Sequence, residues 1–364
     1  MSATPPPGSP PPRPPLPPSP PLPEGRSVSF FVALFLALLL LVSVGVNVAL
    51  LTFKLVGSGF SEKAIEDSDA GFRVVRVGGS EDVEDKVLRI RVKGAISEGA
   101  SPILGSQGGT VSQVKRELRV AAATKRIKAV LLEIDSPGGG VTDSDEIHRL
   151  IKRFRAENNK PVLALFGDVS ASGGYYIAAA CDRIVARPTT ITGSIGVIMS
   201  SYNLEEAMKK VGIKAQTIVS PHTPYKDIMS MSRDMRPEER AILTSIVEEM
   251  YQRFVDVVDA GRPNLTREQV VRLANGQIYS AKQAQKNGLV DAIADPDEAF
   301  TMLLQLANLQ KAQIVEQRRL PSFIEVLTGH TAARSAPPSL QDTIARYLDR
   351  TTGAKLLYFW PGGR

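Results

Sequence analysis

The sequence predicts an α/β domain with a mainly parallel sheet and a helical C-terminal part, preceded by one transmembrane helix. Three patterns carry this prediction: an uncharged apolar run near the N-terminus, strand and helix signals that alternate from about residue 85, and an apolar helical stripe beyond residue 237. Strands that alternate with helices imply right-handed βαβ units, and therefore parallel pairing.

In chain order, residues 1–26 come first. Thirteen of the 26 prolines fall within the first 23 residues. Proline lacks the N–H and forbids helix, so this tail is expected to be polyproline-II-like and without a core. From Ser27 to Phe53 no charged residue occurs, and Arg26 and Lys54 flank the run. A spanning helix needs about 20 apolar residues. A cleavable signal has an apolar region of only about 7–15 residues, so a retained anchor over 27–53 is predicted. The nearby cations, Arg13 and Arg26 before the run and Lys54 and Lys63 after it, leave its orientation undecided. Residues 54–84 read as a polar linker.

Leu88, Ile90 and Val92 alternate with Arg89 and Arg91, the signature of a half-buried strand. Val111, Val114, Leu118 and Ala122 follow helical spacing. Ala129 to Ile134 reads as a buried strand. Ile147, Leu150, Ile151 and Phe154 then form a helical stripe, with Thr142, Asp143 and Ser144 as candidate caps. Val162–Phe166 and Ile184–Ala186 read as further strands. Pro237 marks a helix start, and Leu243, Ile246, Val247, Met250, Phe254 and Val257 share one face of that helix. The domain is expected over 85–310. Residues 311–364 form an extension with eight Lys/Arg against four Asp/Glu. That extension is either solvated or in contact with anionic lipid, at about 1 kcal/mol per well-placed cation. No basic cluster with interleaved aromatics occurs in the body, so nucleic-acid binding is not expected.

Three His and one Cys (Cys181) among 364 residues bound the chemistry. One cysteine forms no internal disulfide, and a zinc site draws on a cluster of ligands that His148, His222 and His330 do not make. No metal and no cofactor is expected.

Two glycine-rich turns follow predicted strands. Asp135-Ser136-Pro137-Gly138-Gly139-Gly140 allows close backbone approach and offers N–H groups to an anion or oxyanion. It lacks the Gly-Lys-Ser/Thr ending of a phosphate loop. On its own it is equally a tight connection with no role. Ser170-Ala171-Ser172-Gly173-Gly174-Tyr175-Tyr176 places a serine among small residues at a helix start, where developing negative charge is favoured. Standing alone, that serine reads as an N-cap. A nucleophilic serine needs a base. His148 lies off its apolar stripe and is expected to be solvated, and His330 lies in the tail. His222 and Lys226, in the loop 220–227, remain as candidates. A lysine amine serves as a base when burial lowers its pKa.

These motifs, followed by Thr192-Gly193-Ser194-Ile195-Gly196-Val197, Tyr225-Lys226-Asp227-Ile228, Gly276 to Ala281 and Gly288 to Asp291, together resemble the signal peptide peptidase A family over about residues 85–300. The resemblance implies a membrane-anchored serine peptidase on a ClpP/crotonase-like fold with a Ser-Lys dyad. By the same resemblance Ser172 is the nucleophile, Lys226 the general base and Ser194 the residue that orients the lysine. Gly139 donates its N–H to the oxyanion, assisted by Gly138 or Gly173. The substrates implied are signal peptide remnants and other apolar peptides. The chain would be the short form, assembling into a dome-like octameric ring in which neighbouring copies share serine and lysine. The implied placement is the cytoplasmic membrane, with the N-terminus cytoplasmic and the catalytic domain outside. A crotonase-type acyl-CoA enzyme and a non-catalytic membrane scaffold are the alternatives. The apolar end, Leu356 to Pro361, either packs on the body or occupies a peptide-binding groove.

Overall fold

A computed structural model describes residues 35–46, 72–98 and 109–320, together with the backbone of Leu356–Phe359. The chain divides into two units, Met1–Ala64 and Ile65–Arg364. In the first unit, residues 35–46 form helix α1, and every side chain on it is exposed. The predicted span over 27–53 therefore lies partly outside the described residues, and the proline-rich tail lies wholly outside them. Among the described residues no helix is long and apolar enough to cross a membrane.

The second unit is built on a mixed sheet. Strands β1 (Phe72–Gly79), β11 (Gln313–Arg319), β2 (Lys86–Lys93), β3 (Ile127–Ser136), β5 (Val162–Ala171), β6 (Arg183–Ala186) and β10 (Ala292–Ile293) run side by side in that order. Strands β7 (Ile191–Gly193) and β9 (Ile278–Ser280) continue from the far end of β5. Only the β1–β11 and β7–β9 pairs are antiparallel. The mainly parallel sheet expected from the strand–helix alternation is present. It reaches past both ends of the interval 85–310, because β1 and β11 add two strands at one edge.

Helices cover both faces. Leu88, Ile90, Val92, Val130, Leu132, Ile134, Val162, Ala164 and Phe166 pack beneath α2 (Thr110–Ala123) and α3 (Val141–Asn158). The opposite side chains, Val87, Ala129, Leu131, Leu163 and Leu165, pack on α9 (Pro296–Leu306). Burial on both faces explains why β3 reads as a continuous apolar run. Arg89 and Arg91 lie on the α9 side of β2. There they reach Glu316 of β11 at 2.7 and 2.9 Å and Glu133 of β3 at 3.6 and 3.3 Å. These cross-strand ion pairs tie β11 to the sheet in addition to its ladder.

Two local expectations are corrected. Helix α3 begins one residue after Gly140, which is its N-cap, so Thr142, Asp143 and Ser144 lie inside the first turn. His148 is buried against Tyr176, ring centroids 5.3 Å apart and edge to face. Burial, followed by the nearby Lys152 charge, depresses its pKa to about 4, so the ring is neutral rather than a solvated cation. The helix predicted from Pro237 is α6 (Pro237–Gly261), with Pro237 in its first turn. Its C-terminal half is buried through Phe254, Val255, Val257 and Val258, whereas Leu243, Ile246, Val247 and Met250 are only half-buried.

Candidate active site

Three chain segments meet at the carboxyl ends of β3 and β5. The first is the glycine turn after β3, where Gly138–Gly140 form a short strand, β4. Ile96 lies along one of its edges. The Ile96 N–H donates to the Gly138 carbonyl, and the Gly140 N–H donates to the Ile96 carbonyl, both at 2.9 Å. A Cβ on Gly139 would stand 1.9 Å from the Ile96 carbonyl oxygen, so only glycine fits there. The N–H and C=O of successive residues in a strand point to opposite edges. The Gly139 N–H therefore faces away from Ile96, toward the other edge of β4. The Gly138 N–H is taken by the Ser136 hydroxyl at 3.1 Å.

The second segment is the turn from β5 into α4 (Gly173–Ala178). Ser172 is the one residue between them. Its φ of 53° and ψ of −116° are rare for a residue with a Cβ, at a cost of about 1–3 kcal/mol. A sharp, strained strand-to-helix turn is also how the serine nucleophile is presented in α/β-hydrolases. Ser172 is 1% exposed, and its Oγ has no hydrogen-bond partner among the described residues. Gly173 brings α4 against β4: a Cβ there would lie 3.1 Å from the Gly139 nitrogen. As the first residue of α4, Gly173 has an N–H with no acceptor inside the helix.

The third segment holds Ser194. The Ser172 N–H donates to the Gly193 carbonyl at 2.8 Å, and the Ser194 N–H donates to the Gln277 carbonyl at 2.7 Å. Ser194 has a positive φ of 49° and is buried. Ser172, Ser194, Gly138, Gly139 and Gly173 are thus brought to one place. Lys226 is not. It is exposed on a turn where its own N–H donates to Thr223 at 3.0 Å, and no hydrogen bond joins it to Ser172 or Ser194. His222, the rival base, is exposed on the same turn. His330 lies outside the described residues. Among the described residues no group of three or more His, Cys, Asp or Glu is placed to hold a metal.

The model of Peptidase family S49 matches residues 155–310. A Synechocystis sp. protein with a provisional protease name is 42% identical over 229 residues, 63% of this chain and 77% of that protein. An Enterococcus faecium protein provisionally named signal peptide peptidase SppA is 32% identical over 291 residues, 76% of this chain and 83% of that one. The chain belongs to the signal peptide peptidase A family, peptidase family S49. It is a serine peptidase. Protease 4 of Salmonella typhi is a longer relative: it is 32% identical over 248 residues, which are 68% of this chain and 38% of that protein.

Several residues that support the site of this SppA-family chain carry no chemical signal of their own. Ile96 holds the glycine strand through its backbone. Gln277, in the Gly276 to Ala281 motif, acts through its main-chain carbonyl. The Gly288 to Asp291 motif ends in a carboxylate that accepts from the Ile184 N–H at 2.7 Å and pairs with buried Arg262 at 2.7 Å. The turn that carries Lys226 is clamped next door. Asp227 accepts from Arg233 at 3.0 Å, and Arg233 and Arg236 both donate to Glu239, the third residue of α6. Those hydrogen bonds hold the Glu239 carboxyl far below the usual carboxylate range. The opposite charges of Asp227, Arg233, Arg236 and Glu239 within thirteen residues were the available signal.

Proposed function

We propose that the chain is a membrane-anchored endopeptidase that cleaves signal peptide remnants and other apolar peptides with a Ser172–Lys226 dyad shared between copies. The observation that carries this reading is the Ser172 hydroxyl, buried and strained beside the glycine strand, with no hydrogen-bond partner among the described residues. An unpartnered buried hydroxyl costs about 1–3 kcal/mol. That cost is relieved when a neutral lysine amine arrives from outside. Two features favour a neighbouring copy as the source. The segment from Ile198 to Tyr225 exposes Ile198, Tyr202, Leu204, Val211, Ile213 and Ile218, the last 98% exposed. The half-buried stripe on α6 continues the same apolar character. A ring of copies, eight in the octameric form, would cover these surfaces through one repeated head-to-tail contact.

In that assembly Lys226 takes the proton from Ser172 as Oγ attacks a peptide carbonyl. The Gly139 N–H, with that of Gly173, donates to the oxyanion. The Oγ–C bond forms and the amide C–N bond breaks, and the lysine returns its proton to the leaving amine. Water then hydrolyses the acyl-enzyme by the same route. The uncharged run over 27–53 supports anchoring in the cytoplasmic membrane. The catalytic unit would then face outward, where signal peptide remnants lie, and membrane lipid would be a second partner.

The test is labelling with a fluorophosphonate probe combined with complementation. Labelling at Ser172 that is lost in Lys226→Ala and kept in His222→Ala is expected. Ser172→Ala and Lys226→Ala chains, each inactive alone, should recover about a quarter of wild-type turnover when co-assembled at random, since one copy in two supplies each missing group. Loss of labelling in His222→Ala instead would overturn the dyad. Absence of recovery in mixed assemblies would overturn the shared site.

A further inference from the structure

Tyr176 lies one turn beyond Ser172 and ties α4 to two other helices. Its N–H donates to the Ser172 carbonyl at 2.9 Å, which closes the first turn of α4 onto the serine. Its side chain is fully buried. The ring packs edge to face on His148 of α3 and tilted against Phe254 of α6, with centroids 5.3 and 4.9 Å away. The hydroxyl donates to Oδ1 of Asp145, on α3, at 2.6 Å. The same oxygen accepts from Arg253 of α6, from Nε at 3.2 Å and from Nη2 at 2.9 Å. The other Asp145 oxygen pairs with Arg149 Nε at 2.9 Å. One half-buried carboxylate thus joins α3, α4 and α6. Burial by itself would raise the Asp145 pKa, but the Tyr176 hydroxyl and Arg253 outweigh it and hold the carboxyl below its ordinary value. The group is therefore ionised near neutrality.

We propose that Asp145 is a positioning residue of this peptidase: by holding the Tyr176 hydroxyl, with Arg253 behind it, Asp145 fixes the turn that presents Ser172 and the Gly173 N–H. This rests on Ser172 being the nucleophile. Helix α4 is six residues long, and a helix that short does not hold its shape without tertiary contacts. It follows a strained residue, and such strain persists only where the surrounding structure over-determines it. On the upstream side the Ser172 N–H is fixed by the Gly193 carbonyl. On the downstream side two tyrosine hydroxyls do the work. Tyr175 donates to the Leu289 carbonyl at 2.8 Å, and Tyr176 donates to Asp145. Bonds to two different neighbours fix the roll of α4 about its axis, and that roll sets where Ser172 Oγ and the Gly173 N–H point. The bond to the ionised carboxylate is the stronger kind. The start of α4 is already seated, since a Cβ on Gly173 would stand 2.5 Å from Ser144 Oγ of α3. Asp145 holds the next turn of the same helix against the same α3.

The test measures fluorophosphonate labelling of Ser172 in the assembled full-length chain, with amide hydrogen exchange over residues 172–178 beside it. Tyr176→Phe keeps the ring and removes only the hydroxyl, so the test stands on it even where Asp145→Ala does not fold. Its maximal labelling rate should fall about tenfold, inside the ~100-fold that a 1 Å displacement of a reacting group costs. The probe concentration that gives half the maximal rate should stay within about twofold, because the binding contacts are kept. Asp145→Ala should behave in the same way. Asp145→Asn keeps an oxygen for the Tyr176 hydroxyl and should label faster than Asp145→Ala. The double variant should be no slower than the slower single, since both changes remove one link. Amides 172–178 should exchange faster in Tyr176→Phe than in the wild type. A maximal rate for Tyr176→Phe equal to that of the wild type, or losses that add in the double variant, would overturn the proposal, whatever happens to stability. If the wild type itself is not labelled at Ser172, the assignment of the nucleophile falls and exchange decides the link. Faster exchange in Tyr176→Phe then upholds Asp145 as the residue that fixes this turn, and unchanged exchange sinks it.

Discussion

The Ser172 N–H donates to the Gly193 carbonyl at 2.8 Å, which locks the strained serine to the residue before Ser194. Gly193 is itself held at φ +86°, and a Cβ there would stand 2.5 Å from the Tyr279 ring. Gly193→Ala is expected to cost about 1–3 kcal/mol of stability through strain. It should slow probe labelling of Ser172 more than tenfold, because the carbonyl that fixes the serine moves. Denaturant unfolding and labelling rates check both parts. Unchanged labelling in a destabilised protein would show that this bond does not position the nucleophile.

Glu117 gives a pH dependence whose sign is fixed by its burial. Its carboxyl sits between Gln113 and the sheet with one oxygen unpartnered, and burial pushes its pKa up to about 7. The unfolded chain releases this proton near pH 4.5, while the folded chain keeps it until about pH 7. Its contribution is therefore undiminished below pH 4.5 and declines as pH rises to 7. Glu117→Gln should match the wild type near pH 4 and be more stable at pH 8 by on the order of 1–3 kcal/mol. Thermal unfolding across that range decides, and a difference that grows toward acid would refute the reading.

Arg262 is 5% exposed in its side chain, pairs with Asp291 and donates to the Gly288 carbonyl at 2.9 Å. Removing one partner of a buried pair leaves the other uncompensated. Arg262→Ala is expected to lower stability by about 3 kcal/mol, somewhat less than for a fully buried pair because Asp291 is partly solvated. Below its unfolding temperature it should keep labelling at Ser172 within about twofold, since neither residue reaches the glycine strand.

The clamp beside Lys226 makes a prediction of the opposite kind. Glu239→Ala releases Arg233 and Arg236 from α6 and frees the turn that carries the proposed base. Turnover should drop more than tenfold, and the thermal midpoint should fall as well, because the Glu239 side chain is buried and paired with both arginines. The Glu239 carboxyl is held well below its unfolded pKa, so its contribution is present above about pH 4.5 and is lost as pH falls further. A rate of labelling in assembled protein that is indifferent to Glu239→Ala would separate this clamp from catalysis.

Much of the fold was legible where one physical rule acts alone. The alternation of Leu88, Ile90 and Val92 with Arg89 and Arg91 gave β2 and its faces, and the apolar run 129–134 gave β3. The glycine and serine motifs contain Gly138, Gly139, Ser172, Gly173 and Ser194, which the fold brings together, but not Ile96, which holds the glycine strand. Less legible were β1 and β11, in stretches read as linker and extension. β1 is an edge strand of mixed polarity with one neighbour, and in β11, which lies between β1 and β2, Glu316, Arg318 and Arg319 hide the pattern. His148 was misread because its helix packs against Tyr176 as well as the sheet, which buries a position outside the apolar stripe. The caps of α3 were misplaced because Gly140 serves as the end of β4 and as N-cap at once.

By itself the sequence determined which groups are available: a serine among glycines after a predicted strand, a histidine and a lysine in one later loop, and only three His and one Cys. Local rules suffice there, since residue type and spacing set what a group can do. The tertiary structure decided what meets what. It brings Ser172, Ser194 and the glycine strand together, keeps Lys226 apart from them, and lays Leu356–Phe359 along the Gly139 edge. Those relationships join residues up to 221 positions apart (Gly138 to Phe359). They follow from strand pairing across the whole sheet, which no window of sequence contains.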